Sequence, residues 1–470
     1  MYYATVQIKV MCSTLQKTYF YGDYLMKNIG KITFFSLLLF GIIQMHLFSE
    51  EKKQLVLTED LSVSYALENN VSIKRSEINL KQTKREYSHS WNNILPSISL
   101  SANGGEKASF EEGKSDLLSL NAGASANLNL DFGLASKIKK LKTSYEAGLT
   151  NYEDTVRETE TAVRKAFYNL LFLKEKVSSA KTTMESYQRQ YEQTQAKYKR
   201  GLASELDLLT SQVNLETSKP DVDTAEMNYR NSLVEFLITI GLEPEPNCEI
   251  LLEGSLSEAN NVKKINAEIV KNAEEKSSEV KELENSLKIA EYERSQTFGS
   301  TIFPSLTASA SVYPESISYD KSTSVKTSDS NWSFSLGLNI PVDSWIPGSA
   351  SKDTISKLDD KINDYKLQIE EKKKSVKTSA IEKLKTIEVS QQTLKTRELN
   401  LELAQKSFNM TEEAYNRGTK DLLTLQNALD TLKNAELQLK SEQYTLISNV
   451  LDLENMLSLP SKSLFEEKSF

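Results

Sequence analysis

Leu118-Ser119-Leu120-Asn121-Ala122-Gly123-Ala124-Ser125-Ala126-Asn127-Leu128-Asn129-Leu130-Asp131 alternates without a break between an apolar residue and a small polar one. Side chains change face at every residue of a β-strand, so a period of two over this length predicts a strand with one apolar and one wet face. The wet face carries Ser, Asn and Gly, and no charge before Asp131. A sheet on a soluble core usually places Lys and Glu there. Leu and Ala on one side with uncharged polar residues on the other fit a wall between lipid and a water-filled lumen. Half-buried strands of an ordinary sheet are the alternative reading of the same pattern.

Three more segments follow this plan. Ile98, Leu100 and Ala102 alternate with Ser97, Ser99, Ser101 and Asn103, after Pro96. In the second half, Phe303-Pro304-Ser305 echoes Leu95-Pro96-Ser97 at a distance of 208 residues. Leu306, Ala308, Ala310 and Val312 then alternate with Ser and Thr, and Trp332, Phe334, Leu336, Leu338 and Ile340 alternate with Asn, Ser and Gly. Glu315 to Ser330 reads as the polar loop between these two strands. Tyr313 and Trp332 at one end, with Phe303 and Trp345 near the other, read as aromatic girdles. About 10 residues suffice for a tilted strand to cross a bilayer. Four strands cannot close a barrel, and an open edge in lipid leaves backbone groups unpaired. Copies must combine: two would supply eight strands and three would supply twelve.

Between the strand pairs the period changes to that of helices. Leu57 to Asn93 reads as one helix, ended by Pro96. From Leu149 to Tyr198 apolar or small residues keep a strict three-four spacing through Val156, Val163, Leu170, Val177, Met184 and Tyr191. Ile387, Leu394, Leu401, Phe408 and Tyr415 repeat it at intervals of seven. That is the seam of left-handed coiled-coil packing. A helix from Gly133 to Tyr198 would measure ~100 Å at 1.5 Å per residue. With only 16 Gly and 9 Pro in 470 residues, little interrupts such helices.

Composition excludes several function classes. The only histidines are His46 and His89 and the only cysteines Cys12 and Cys248, too few for a zinc cluster, a Cys–His dyad or a Ser–His–Asp triad. The chain reads as a non-enzyme with no metal site and no cofactor. A net charge of -8 gives no footprint for nucleic acid. Lys27 and Lys31 precede an apolar stretch from Ile32 to Phe48, and Ser49-Glu50-Glu51-Lys52 turns polar, which predicts an export signal over 26–49. Residues 1–25 read as an upstream extension, 55–260 as a first repeat, 261–459 as a second, and 460–470 as a C-terminal tail. An apolar run interrupted by Gln44 and His46 also leaves a single membrane anchor open.

Both long helices end in one motif: Tyr198-Lys199-Arg200-Gly201-Leu202-Ala203-Ser204-Glu205-Leu206-Asp207 and Tyr415-Asn416-Arg417-Gly418-Thr419-Lys420-Asp421-Leu422. Gly201 and Gly418 suit the left-handed residue that stops a helix. Ser204 and Asp421 suit the N-cap of the next, and Ser204-x-x-Asp207 resembles a capping box.

Two such motifs, each ending a heptad helix that follows a strand pair, resemble the TolC-like outer-membrane efflux family over Leu57 to about Leu459. The resemblance implies a mixed, mainly α fold: long coiled-coil hairpins forming a periplasmic α-barrel, plus four strands per chain in a shared twelve-stranded outer-membrane β-barrel. It implies a homotrimer in outer-membrane lipid that acts as a passive exit duct of a tripartite efflux or type I secretion system. The partners would be a periplasmic adaptor (membrane fusion protein) and an inner-membrane pump. Arg200, Gly201, Leu202, Ser204, Arg417, Gly418, Thr419 and Asp421 fall where the family meets its adaptor. By offset from the motif glycines, Asp207, Tyr415 and Lys420 fall where the family latches its entrance shut, and Asp207 has a second reading as a helix-start carboxylate. The family's acidic ring positions hold Thr424 and Asn427 here, with Asp421 and Asp430 displaced to either side, which counts against a cation-binding ring. A structural coiled-coil envelope protein and a periplasmic adaptor without a pore stay open as alternatives.

Overall fold

The computed structural model describes residues 54–107, 117–243, 249–320 and 325–466. The extension and export signal read at 1–49, with Cys12 and His46, lie outside the described residues, as does Cys248.

The first half runs β1 (Gln54–Thr58), α1 (Glu59–Asn69), α2 (Val71–Ser88), β2 (Ser97–Lys107), β3 (Leu117–Leu130), α3 (Leu134–Lys199) and α4 (Glu205–Thr239). The second runs β4 (Glu249–Glu253), α5 (Ser278–Thr301), β5 (Ser305–Asp320), β6 (Val325–Asn339), α6 (Ala350–Asn416) and α7 (Leu422–Met456), with short turns of helix between β4 and α5. β1 pairs with β4, and a separate antiparallel sheet has the order β2-β3-β5-β6. At 66 and 67 residues, α3 and α6 are each ~100 Å long.

Two expectations need correction. Leu57 to Asn93 is not one helix. Leu57 lies in β1, Thr58 caps α1 by accepting from the Leu61 amide, and Asn70 takes an extended conformation that breaks the run. The Asn70 carboxamide caps α2 through the Ser72 and Ile73 amides, while its NH2 donates to the Thr239 carbonyl at 2.8 Å. A break that feeds a distant helix end has no local periodic signal. The stretch Glu315 to Ser330 is mostly strand, because Ser316↔Asp329, Ser318↔Thr327 and Asp320↔Val325 continue the ladder. Residues 321–324 lie outside the described residues.

The main core lies where α3 crosses α7. Val163, Phe167, Tyr168, Leu170 and Leu171 are buried from α3, and Leu446, Ile447, Val450 and Leu451 from α7. Each buried Leu, Ile, Val or Phe contributes about 1.5–3 kcal/mol relative to exposure. Phe236 of α4 closes one side, 6.3 Å from Phe167 between ring centroids.

Beside this core sits an ion cluster that sequence periodicity hides. Arg164 donates to Glu59 at 2.6 Å, to Asp60 at 3.0 Å and to Glu160 at 2.8 Å. Burial draws the guanidinium down, but Glu59 and Glu160 outweigh it and hold Arg164 above its ordinary range. Tyr168 lies 2.6 Å from carboxylate oxygens of both Glu59 and Glu258, and burial, then those charges, push its phenol up. Residues 460–466 complete the cluster. Lys462 bridges Glu59 at 2.5 Å and Glu258 at 3.2 Å, and Glu454 accepts from the Lys462 and Leu464 amides. Leu464 and Phe465 are buried, so this part of the tail is packed against the helices.

Candidate functional site

The sheet presents two unlike faces. Ile98, Leu100, Leu120, Trp332, Phe334, Leu336 and Leu338 lie on one, and Leu100 is 84% and Trp332 76% exposed. A continuous apolar face of this extent demands a cover. The register places Ser99 opposite Ser125, Ser125 opposite Ser311 and Ser311 opposite Ser333, so one row of serines crosses all four strands on the other face. Ser99 and Ser125 hydroxyls are 2.8 Å apart, Ser311 and Ser333 2.8 Å, and Ser309 and Ser335 2.6 Å. Hydroxyls paired this way satisfy one another while one lone pair or proton stays available to water.

Tyr313 belongs to the hydroxyl face, not to an outward aromatic girdle. A Cβ on Gly123 would lie 2.4 Å from the Tyr313 ring, so the ring occupies the space that a side chain at Gly123 would fill. Alternation with Ser309 and Ser311 already places Tyr313 on this face, and its meeting with Gly123 falls where the register shifts between Ala122 and Ala124. At the foot of the sheet Phe303 packs on Phe132 and Phe298, with centroids at 5.2 and 5.6 Å. Trp345 donates to the Ile302 carbonyl at 2.9 Å.

The two helix-to-helix turns are alike. Leu202 N donates to Lys197 O at 2.9 Å and Gly201 N to Tyr198 O at 2.8 Å; Thr419 N donates to Ala414 O at 3.0 Å and Gly418 N to Tyr415 O at 2.9 Å. These are paired Schellman closures, with Gly201 at φ +73° and Gly418 at φ +74°. Ser204 and Asp207 form a complete capping box: Ser204 Oγ accepts from the Asp207 amide at 3.1 Å, and Asp207 accepts from the Ser204 amide at 3.2 Å. Asp421 caps α7 through the Thr424 amide at 2.9 Å and the Thr424 hydroxyl; that hydroxyl and amide hold its carboxyl below the usual range. Thr419 donates to the Ala414 carbonyl, and Arg417 pairs with Glu413 at 3.2 Å. Arg200, Leu202 and Lys420 are exposed.

Within one protomer the three residues read as a latch are not joined. Asp207 closes on Ser204. Tyr415 instead accepts from Lys197 Nζ at 3.3 Å, with the ammonium 4.3 Å from the ring centroid. Lys197 sits on the other hairpin, 218 positions from Tyr415, so nothing local in the sequence links the two.

Among the described residues no helix is long and apolar enough to cross a membrane, and no group of three or more His, Cys, Asp or Glu is placed to hold a metal. A sheet with one lipid-suited face and one hydroxyl face, continuous with ~100 Å helices joined by tight turns, defines a membrane channel of mixed β and α construction. The chain belongs to the outer membrane efflux protein family, whose model matches residues 63–240 and 269–458. It is an outer-membrane exit duct with a periplasmic helical extension, and the family and its structural neighbours are channels.

Sequence comparison with curated proteins finds no match. Several solved structures share the fold, among them the following three. CusC is 15% identical, with TM-score 0.71, over 86% of this chain and 92% of that one. The CmeC outer membrane channel of Campylobacter jejuni is 15% identical, with TM-score 0.70, over 88% and 87%. The MtrE outer membrane channel of Neisseria gonorrhoeae, solved in its open state, is 18% identical, with TM-score 0.65, over 85% and 88%.

Proposed function

We propose that three copies of this chain close a twelve-stranded barrel and conduct cargo passively, with a gate at the helical turns. The observation that carries this reading is the four-stranded sheet itself. Its apolar face suits lipid, and the outer edges of β2 and β6 have no further strand among the described residues. In hydrocarbon every unpaired backbone group costs several kcal/mol, so neighbouring copies must supply the missing ladders. Two copies would make an eight-stranded wall whose interior side chains nearly fill, while three leave room for a pore.

The exposed turns around Arg200, Gly201, Leu202 and Ser204, and around Arg417, Gly418, Thr419 and Asp421, are the surfaces offered to a periplasmic adaptor. That adaptor would connect the duct to an inner-membrane pump, which supplies the energy. Asp207, Tyr415 and Lys420 act as a latch when neighbouring protomers bring their tips together. Native mass measurement in detergent tests the assembly: three times the mature chain mass is expected, and a stable monomer or dimer would overturn it.

A further inference from the structure

The four strands of one copy already lean. Ser97, where β2 begins, lies in line with Asn127, Ser309 and Ser335, yet β6 continues past Ser335 to Asn339. Measured along these cross-strand rows, the foot of β6 sits four residues below the foot of β2. Strand feet lie at one membrane boundary, so the rows climb from β2 to β6. A second copy that adds its β2 to the free edge of β6 is therefore displaced towards Asn339.

Barrel closure limits how far. An odd displacement would turn the apolar face of one copy into the lumen face of the next, so the number is even. Each copy adds four strand spacings of ~4.8 Å, and each residue of displacement adds ~3.3 Å along the strand. Displacements of two and eight residues would tilt the strands by roughly 19° and 54°, outside the range of about 35–45° for outer-membrane barrels. Four gives roughly 35° and six roughly 46°.

Side chains decide between these two. At four, Ser97 of the next copy meets Asn339, so the strand feet coincide, and every residue of β2 from Ser97 to Lys107 has a partner within β6. Ile98 then meets Leu338, Ala102 meets Phe334 and Gly104 meets Trp332. Gly104 has room for the ring: a Cβ there would meet only Leu120 and Ser119 of β3, at 3.6 and 3.9 Å, away from the free edge. At six, Trp332 would lie across from Glu106, and Ser97 would face Pro341, which lies past the end of β6 and has no N–H to give.

Given the three-copy barrel, on which this depends, we propose that β6 of each copy pairs antiparallel with β2 of the next at a displacement of four residues. Trp332 covers Gly104 and Phe334 covers Ala102 across the seam. Rings over small residues at a free edge fix the register where Ser and Ala alone leave it open to slippage. The displacement in turn sets the strand tilt and the width of the pore.

Disulfide trapping tests the register, in a chain carrying Cys12→Ser and Cys248→Ser. Directly opposed Cβ atoms lie ~4.5–5.5 Å apart and the next pair along ~7–8 Å, beyond the reach of a disulfide. β2 and β6 of one copy are three strand spacings apart, ~14 Å, so any bridge joins two copies. Ser101→Cys with Ser335→Cys should oxidise to a covalent trimer on unreduced denaturing gels and return to monomer with reductant. Asn103→Cys with Ser335→Cys reports a displacement of six, and Ser97→Cys with Ser335→Cys reports none. Both should run as monomers on the gel while native mass in detergent stays trimeric. A covalent trimer through Asn103 or Ser97, or a trimeric mass with no bridge in any pair, overturns the register and leaves the trimer standing. A monomeric or dimeric native mass before oxidation brings down the trimer reading as well.

Discussion

Gly299→Ala tests the junction between barrel and helices with a single methyl. Gly299 of α5 and Gly133 at the start of α3 pass so closely that a Cβ on Gly299 would lie 2.5 Å from Gly133 N and 2.7 Å from its Cα. Carbon atoms in good contact sit at ~3.5–4.0 Å, so the two backbones would have to part by about 1 Å. The obstacle is main chain on both sides, and no flexible side chain can swing away. Two effects oppose each other. Alanine inside a helix favours the folded state by about 1 kcal/mol over glycine, while overpacking a tight crossing costs about 1–3 kcal/mol. Because the clash is with backbone, the upper part of that range applies, and the expected net loss is ~1–2 kcal/mol. Gly201→Ala is the contrast: nothing lies within 4 Å of its would-be Cβ, and only its φ of +73° resists. Its cost should be ~1 kcal/mol of backbone strain with no displacement of α3. Guanidinium unfolding in detergent, followed by circular dichroism, reads both midpoints. A Gly299→Ala midpoint equal to or above the parent's would follow from helix propensity alone and would refute the close crossing.

N-terminal sequencing of protein from isolated outer membranes should begin close to Ser49, and an intact Met1 or Met26 would replace the export signal with an anchor. Lys462→Met should cost about 1–3 kcal/mol of stability, because Glu59 and Glu258 lose a cation that is only 30% exposed. Burial lowers the Lys462 ammonium, but Glu59 outweighs it, so its folded pKa lies above the unfolded value. Its stabilisation is therefore fully present at neutral pH and is lost only as pH rises through the alkaline range above ~10. The unfolding midpoint of the parent should fall there, and a Lys462→Met midpoint with the same alkaline fall would assign that fall to another group.

Most of the architecture was legible because its signals are local. Leu118 to Asp131 reads as a strand whatever surrounds it, and the α3 heptads, the two glycine turns and the Ser204–Asp207 box are set by residues within one turn of each other. The polar ends of β5 and β6 were not legible. There neither Ser316 to Asp320 nor Val325 to Asp329 carries a sustained apolar stripe, so the pattern lapses, while the backbone ladder from Ser316↔Asp329 to Asp320↔Val325 continues without it.

The sequence carried the period of each element, its start and stop, and the polarity of each face, since backbone dihedrals and neighbouring side chains fix these over a few residues. Tertiary structure alone brought Lys462 to Glu59, Lys197 to Tyr415, and the Tyr313 ring onto Gly123. These pairs are separated by 403, 218 and 190 positions. Side chains so far apart meet only through the relative placement of helices and strands, and that placement follows from the burial and hydrogen bonding of the whole chain.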